Sequence, residues 1–403
     1  MGEVFDVAVV GAGPAGSAAA ITAARRGLRV VCLDKARFPR DKTCGDGLTA
    51  YALRLVEQLG LGLDEFRLTS PEVVRETVIV APNGARSVLP VPREGVYAAV
   101  VPRREFDAAL VALARRRGVE VREECPINEV LQLDDRVRLG DIEARFVVAA
   151  DGHWSRVRRA LNPGAAPDLG TWHAVRQYHE RVETDRLWVI FEPDLVPGYA
   201  WVFPHGEGRA NVGFGVLRAD GRTGHQLKAL WPALLQRPTL RAALGPDAVP
   251  TESVRAWPIP GRYDRSRLQQ RRVLYAGDAA NVVDPMTGEG IGQAIETGML
   301  AATAIATGRD YATLVHRAIG RDLRFAALLQ RALAGRRRAN VELRLVGLTR
   351  HTRTAFARWL WEGYPRALLL TPDRWRRGAF TNPGAWADAP SIAPDAAPAD
   401  VPV

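Results

Sequence analysis

Val4 to Val10 is almost unbroken apolar sequence with little alternation, the pattern of a parallel strand buried on both faces. Gly11-Ala12-Gly13-Pro14-Ala15-Gly16 follows at once. Ser17 to Arg26 is Ala-rich and predicts a helix, which Gly27 ends. Leu28 to Leu33 is a second apolar strand closing on Asp34. The order strand, glycine turn, helix, strand, acid is that of a dinucleotide-binding unit. Gly11 permits the tight turn, Gly13 lets the backbone approach a pyrophosphate, and Gly16 lets helix and strand pack closely. The helix start, around Ala15, presents free N–H groups to phosphates, and Asp34 is placed for ribose hydroxyls.

Two later segments extend this pattern. Val147 to Ala150 is a third apolar strand, followed by Asp151-Gly152-His153-Trp154-Ser155-Arg156. Val273 to Ala276 is another, followed by Gly277-Asp278 and then Pro285-Met286-Thr287-Gly288-Glu289-Gly290-Ile291-Gly292, with a helix predicted from about Gln293. Asp278 at a strand end suits a ribityl or ribose hydroxyl. Bare backbone N–H groups around Gly288, Gly290 and Ile291 suit the negative edge of a reduced flavin. The glycine turn alone does not distinguish FAD from a nicotinamide dinucleotide; the three segments in this order favour a flavin.

Composition narrows the class. A chain of 403 residues, 47% hydrophobic and 25% charged, is long enough for two intertwined domains and a tail. The net charge of +10 comes almost entirely from Arg, since Lys35, Lys42 and Lys228 are the only lysines. Such Arg richness gives weak support for an anionic partner, and no nucleic-acid-binding motif accompanies it. Cys32, Cys44 and Cys125 are too few and scattered for a disulfide framework or a metal site, and they suit a reducing cytosol. The N-terminus runs directly into a strand, so no signal peptide is expected, and no apolar run is long enough to span a bilayer.

The three segments resemble the fingerprints of the p-hydroxybenzoate hydroxylase-like flavoproteins: the N-terminal glycine motif, the Asp-Gly motif and the Gly-Asp motif. Val101-Pro102-Arg103-Arg104-Glu105 resembles that superfamily's Arg-containing helix start, which implies that Arg103 lies near the FAD pyrophosphate. Two further runs are similar to the geranylgeranyl reductase family, and most of all to its bacterial menaquinone reductases. One is Phe38-Pro39-Arg40-Asp41-Lys42-Thr43-Cys44-Gly45-Asp46-Gly47-Leu48-Thr49; the other is Pro197-Gly198-Tyr199-Ala200-Trp201-Val202-Phe203-Pro204, continuing through His205 to Gly213 and Gly215.

The resemblance implies an α/β fold: a glutathione-reductase-type FAD-binding Rossmann domain with an inserted antiparallel-sheet substrate domain and a C-terminal helical segment. The FAD domain is expected at 1–70, 97–170 and 265–325, the substrate domain at 71–96 and 171–264. Helices are expected over 326–380, and a disordered tail, rich in Ala, Pro and Asp, over 381–403. Residues 77–80 and 86–91 read as a hairpin, and 176–217 as longer strands.

The activity implied is reduction of an isolated C=C bond in a polyprenyl chain, with FAD as cofactor and NAD(P)H or another reductant as electron donor. Cofactor contacts are expected from Gly11, Gly13, Ala15, Gly16, Asp34, Lys35, Cys44, Gly45, Arg103, Asp151, Gly277, Asp278, Gly288, Gly290 and Ile291. Tyr199, Trp201 and Phe203 share one face of a strand and form an expected substrate wall with Gly213. Cys44, Tyr199 and Trp201 are the candidate catalytic residues. A thiol of ordinary pKa is a weak acid for protonating an alkene, so Asp46, Tyr199 or a trapped water are further candidates, and His205 reads as a turn residue.

A flavin monooxygenase or halogenase is the competing reading. Flavin halogenases carry a related Trp-x-Trp-x-Ile-Pro run and need a lysine near the substrate. Here the run begins with Tyr199 and residues 71–100 hold no lysine, which counts against halogenation. A flavin-binding protein without catalysis is a third reading.

Beyond Gly308, Arg336, Arg337, Arg338, Arg344, Arg350, Arg353 and Arg358 interleave with Val341, Leu345, Leu348, Trp359 and Trp361. Such a basic amphipathic stretch either lies on an anionic membrane or caps the FAD domain. With a prenyl lipid or prenyl quinone as expected substrate, the expectation is a cytoplasmic protein held peripherally on the inner face of the cell membrane.

Overall fold

The structure, a computed structural model, describes residues 4–166, 168–218, 223–263, 267–333, 335–362 and 382–388. It is a mixed α/β fold with parallel and antiparallel sheets. The strand Phe5–Val10 lies between Val30–Leu33 and Ile142–Ala149, parallel to both, and Val273–Tyr275 and Glu120–Arg122 extend the parallel order on either side. The apolar runs that predicted these strands are nearly all buried, because helices cover the sheet.

The helix Pro14–Arg25 lies against the helix Ile291–Thr307 through small residues. A Cβ at Gly298 would overlap the Ala15 carbonyl oxygen, so only glycine allows this approach. Each helix begins at a glycine, Gly13 or Gly290, which offers no side-chain cap; in the second, Glu289 accepts from Gly292 N at 3.4 Å.

The second sheet contains Trp172–Glu180, Leu187–Ile190, Tyr199–Pro204, Ala210–Leu217 and Arg255–Ile259, together with the hairpin Glu76–Val80 and Arg86–Pro90. Its pairings are antiparallel except one: Leu187–Ile190 runs parallel to Glu76–Val80. That exception joins the two separate stretches of chain. A third, small sheet joins Gly47–Thr49 to Ala98–Val100 and Glu72–Val73.

Alternation on Tyr199–Pro204 divides two environments. Ala200 and Val202 join Val212, Phe214 and Trp231 in a buried apolar cluster under the helix Gly224–Leu235. Tyr199, Trp201 and Phe203 point the other way.

Two expectations about the C-terminal part change. The helices Arg336–Gly347 and Arg350–Glu362 pack chiefly on the second sheet, and only Arg350–Glu362 also touches the helix Ala50–Gln58 beside the parallel sheet. Their inner face, including Leu343, Val346, Phe356 and Leu360, packs on Ile79 and Leu89 of the second sheet, and Trp361 Nε1 donates to Thr77 Oγ1 at 3.1 Å. Within the stretch expected to be disordered, residues 382–388 are ordered. Ala385 pairs with Val96, Trp386 stacks on Phe66 with ring centroids 4.7 Å apart, and its indole N–H donates to Leu61 O at 3.0 Å. One large aromatic ring supplies enough buried area to pin a segment whose composition reads as disordered. Residues 363–381, the last part of the stretch expected to be helical, and 389–403 lie outside the described residues.

Candidate active site

A cavity of about 1250 Å³ lies between the parallel sheet, the second sheet and the helices after residue 308. It exceeds the usual range for a single small ligand, roughly 300–1,000 Å³. Its walls join the sequence segments singled out above. From the first come Gly11, Gly13, Ala15, Asp34 and Lys35; from the others Asp151, Gly277, Asp278, Gly288, Gly290 and Ile291; and from the Cys44 loop Cys44, Gly45 and Asp46. Tyr199, Trp201 and Phe203 line it from the opposite side.

At the dinucleotide end the residues present fit FAD. Asp34 accepts from Ala12 N at 2.7 Å and Ala36 N at 2.8 Å, so its carboxylate stiffens the glycine turn while facing the cavity. Side-chain space above Gly13 is open except for two guanidinium groups: a Cβ there would stand 3.5 Å from Arg40 Nη2 and 4.0 Å from Arg103 Nη2. Arg103 is bidentate on Asp107, at 2.8 and 2.7 Å, and Arg40 reaches the same carboxylate at 3.0 Å. Two cations sharing one buried anion leave a net positive charge beside uncapped helix N–H groups, the arrangement a pyrophosphate needs. Asp151 uses Oδ2 to cap the helix Arg156–Leu161, and its buried Oδ1 has no protein partner.

Two residues expected to touch ligand do not line the cavity. Gly16 lies behind the turn, where a Cβ would overlap the Gly11 carbonyl oxygen. Gly213 lies behind the aromatic wall, opposite Trp201 in the ladder, where a Cβ would overlap the Trp201 ring and the Val175 carbonyl. Both act by making room: Gly16 for the helix, Gly213 for the indole.

The aromatic wall is continuous. Ring centroids are 6.1 Å apart from Tyr199 to Trp201 and 6.0 Å from Trp201 to Phe203, with Phe191 5.9 Å beyond Tyr199. Tyr199 OH donates to Thr287 O at 2.5 Å, tying the wall to the Gly288 loop. A Cβ on Gly45 would stand 3.6 Å from Phe203 and 3.7 Å from Trp201, so the Cys44 loop passes directly over the wall.

Behind that loop sits a buried hydrogen-bond hub. Asp46 is fully buried with φ of 64°. Its Oδ2 accepts from Tyr178 OH at 2.6 Å and Asn211 Nδ2 at 2.7 Å, and its Oδ1 accepts from Arg103 N at 3.2 Å. Asn211 also donates to Cys44 O at 2.7 Å and accepts from Trp201 Nε1 at 3.0 Å. Burial raises the Asp46 carboxyl to about 6 against its hydrogen bonds from Tyr178 and Asn211. Burial also raises the Cys44 thiol; the Arg103 guanidinium opposes this and the Asp46 charge adds to it. His205 donates its backbone N–H to Arg209 O across the turn, and burial holds its imidazole down to about 4.

Sequence reasoning missed Arg40, Lys42, Tyr178 and Asn211. Lys42 Nζ stands 3.7 Å over the Trp257 ring, and burial lowers its ammonium to about 8 although Asp278 favours the charge. Arg40 and Lys42 belong to a run noted for its cysteine, so their charges were a readable signal. Asn211 lies in the run that follows the aromatic strand, but nothing there marks it as a partner of Asp46, and nothing local marks Tyr178.

The family model describing an FAD binding domain matches residues 4–309. The digeranylgeranylglycerophospholipid reductase 2 of Methanopyrus kandleri is 36% identical over 318 residues, covering 75% of this chain and 77% of that protein. The chain belongs to the geranylgeranyl reductase family of FAD-dependent oxidoreductases. This flavoprotein is also 34% identical over 328 residues to a menaquinone reductase of Mycobacterium tuberculosis, with 77% of this chain and 78% of that one covered. Among solved structures, a geranylgeranyl bacteriochlorophyll reductase-like protein of Thermoplasma acidophilum shares its fold. The TM-score is 0.77 at 23% identity, covering 92% of this chain and 99% of that one.

Proposed function

We propose that this flavoprotein saturates isolated C=C bonds in a polyprenyl chain, carried by a menaquinone or by a geranylgeranyl lipid. The carrying observation is one cavity that offers a pyrophosphate-type cradle at Gly13 and, past the Cys44 loop, an aromatic wall with no charged member. FAD, once reduced by NAD(P)H or another donor, supplies hydride. The chain's own residues hold the alkene flat on Trp201 and exclude water. They also place Cys44 and Asp46 near the carbon that must receive a proton. In this reading the parallel-sheet half is a glutathione-reductase-type FAD domain, and the second sheet is an inserted substrate domain.

The direct test is anaerobic. Dithionite-reduced, FAD-loaded protein is mixed with a prenyl quinone or a geranylgeranyl phospholipid in micelles, and the lipid is weighed by mass spectrometry. The expected product gains two hydrogens per reduced bond. An unchanged lipid, with oxygen or halogen incorporated into an aromatic under aerobic conditions, identifies a monooxygenase or halogenase instead. Lys42 in the cavity is the observation that favours that second reading, since the sequence argument against a lysine covered only residues 71–100.

Trp201→Ala is expected to lower kcat/KM for prenyl substrates tenfold or more, because a large aromatic contact is worth about 1.5–3 kcal/mol. Flavin reduction by the donor is expected to stay near wild type. Loss of FAD from the variant would place Trp201 among the core residues.

A polyprenyl lipid is met at a bilayer, and the outer face of the last described helices suits one. Arg336, Arg337 and Arg338 are exposed beside Val341, Leu345 and Leu348, which are 55–63% exposed, while the opposite faces of the same helices line the cavity through Leu343, Val346 and Leu360. No helix among the described residues is long and apolar enough to cross a membrane. With a prenyl lipid as substrate, the protein is read as cytoplasmic, attached peripherally through this face. It is expected to co-sediment with anionic vesicles at low salt and to be released at high salt. Each Arg contributes about 1 kcal/mol near an anionic surface. Replacing Arg336, Arg337 and Arg338 with Ser is expected to weaken sedimentation at least tenfold. Indifference to anionic vesicles at every salt concentration would leave the helices as a cap alone.

A further inference from the structure

The hub around Asp46 does more than brace a loop. A buried carboxylate costs free energy unless it is held by donors, and this one is held by three, from three parts of the chain. Arg103 N belongs to the first turn of the 14-residue helix Arg103–Arg116, whose own N-cap, Pro102, offers no side-chain acceptor. Asp46 therefore serves as that helix's anion from a distance. Tyr178 OH and Asn211 Nδ2 come from two strands of the second sheet. Through Asn211 the carboxylate is linked both to the Cys44 backbone and to the Trp201 indole. The Asp46 N–H itself points at Cys44 Sγ, 3.4 Å away.

Charged groups surround the Cys44 sulfur from several elements. Asp46 and Lys42 share its loop. Arg103, already paired with Asp107, faces it from the helix, and Asp278 lies beyond Lys42. The second sheet contributes neutral groups, Tyr178, Asn211 and Trp201, with Arg176 behind Tyr178 and paired to Asp41 at 2.7 Å and to Glu252. The Asp46 carboxylate thus adds to burial in disfavouring a thiolate, while Arg103 and the Asp46 N–H favour one.

We propose that Asp46 is a positioning residue that keeps Cys44 a neutral thiol and fixes it in register with Trp201. The inference rests on the prenyl-reductase reading for its purpose. Saturating an alkene consumes one hydride and one proton, and a group beside the substrate can give a proton only while it carries one. A thiolate at Cys44 would have none to give.

The test uses the FAD-loaded protein and needs no substrate. Cys44 alkylation by iodoacetamide is followed against pH, with the modified peptide resolved from those of Cys32 and Cys125 by mass spectrometry. Asp46→Asn removes the negative charge while keeping size and shape, so the thiolate is less disfavoured and the midpoint moves down. The expected shift is about one unit, seen as roughly tenfold faster alkylation at pH 7. Asp46→Gly, which suits the backbone φ of 64°, removes the same charge together with the side chain and is expected to move the midpoint the same way. It keeps the proposal testable if Asp46→Asn does not fold. Midpoints unchanged in folded, FAD-loaded variants would overturn the proposal and leave Asp46 a structural brace. Because the readout is independent of turnover, a full-speed Cys44→Ser enzyme would overturn Cys44 as a catalytic residue while leaving this result standing.

Discussion

Gly16→Ala is expected to yield a protein that takes up no FAD. A Cβ at this position would overlap the Gly11 carbonyl oxygen and stand 3.2 Å from Val9 Cγ1. Neither neighbour can yield. Gly11 is fixed at φ of 98° with its N–H on Leu33 O at 2.7 Å, and Val9 is in the centre of the parallel sheet. The helix Pro14–Arg25 must then move off the sheet, carrying away the N–H groups that face the pyrophosphate. Overpacking of this kind costs about 3 kcal/mol or more when the clash is with backbone. The check is the flavin-to-protein ratio after purification, together with thermal unfolding of apoprotein. Gly164→Ala, where nothing lies within 4 Å, is the control and is expected to change stability by no more than about 0.5 kcal/mol. A Gly16→Ala protein with a full complement of FAD would mean that the helix does not hold the cofactor.

Cys44→Ser is expected to retain FAD and lose at least about a hundredfold in kcat for alkene reduction, roughly 2.7 kcal/mol of barrier. FAD should be retained because the cradle depends on Gly13, Arg40, Arg103 and Asp34, and the Cys44 backbone contact to Asn211 survives the substitution. The loss should fall on kcat because a hydroxyl gives up a proton far less readily than a thiol, while the aromatic wall that binds the chain is untouched. Stopped-flow reduction of the lipid by pre-reduced protein separates this step from flavin reduction. Turnover close to the parent's would assign the proton to Asp46 or to water.

The dinucleotide half was legible along the chain. Strand, glycine turn, helix and acid lie within about 30 contiguous residues, and each demand there is local: apolar runs for buried strands, glycines for close approach, an acid at a strand end. The wall of Tyr199, Trp201 and Phe203 was legible for the same reason, since alternation on one strand fixes a shared face. The hairpin at 76–90 was also legible.

Tertiary structure alone decided what those faces meet. Alternation could not say whether the Trp201 face or the Val202 face was the core; the helix Gly224–Leu235, packed on the Val202 side, settled it. Gly213 was read as a ligand contact, and Gly16 as one besides its packing role, because a glycine carries no sign of whether its open side faces a cavity or another backbone. The hub that holds Cys44 draws Asp46, Arg103, Tyr178 and Asn211 from positions up to 165 residues apart. A hydrogen bond between distant segments leaves no periodicity in either. Trp386, one ring in an Ala- and Pro-rich stretch, was invisible to composition because burial depends on the surface it lands on, here Phe66 and the Leu61 carbonyl, and that surface exists only once the chain has folded.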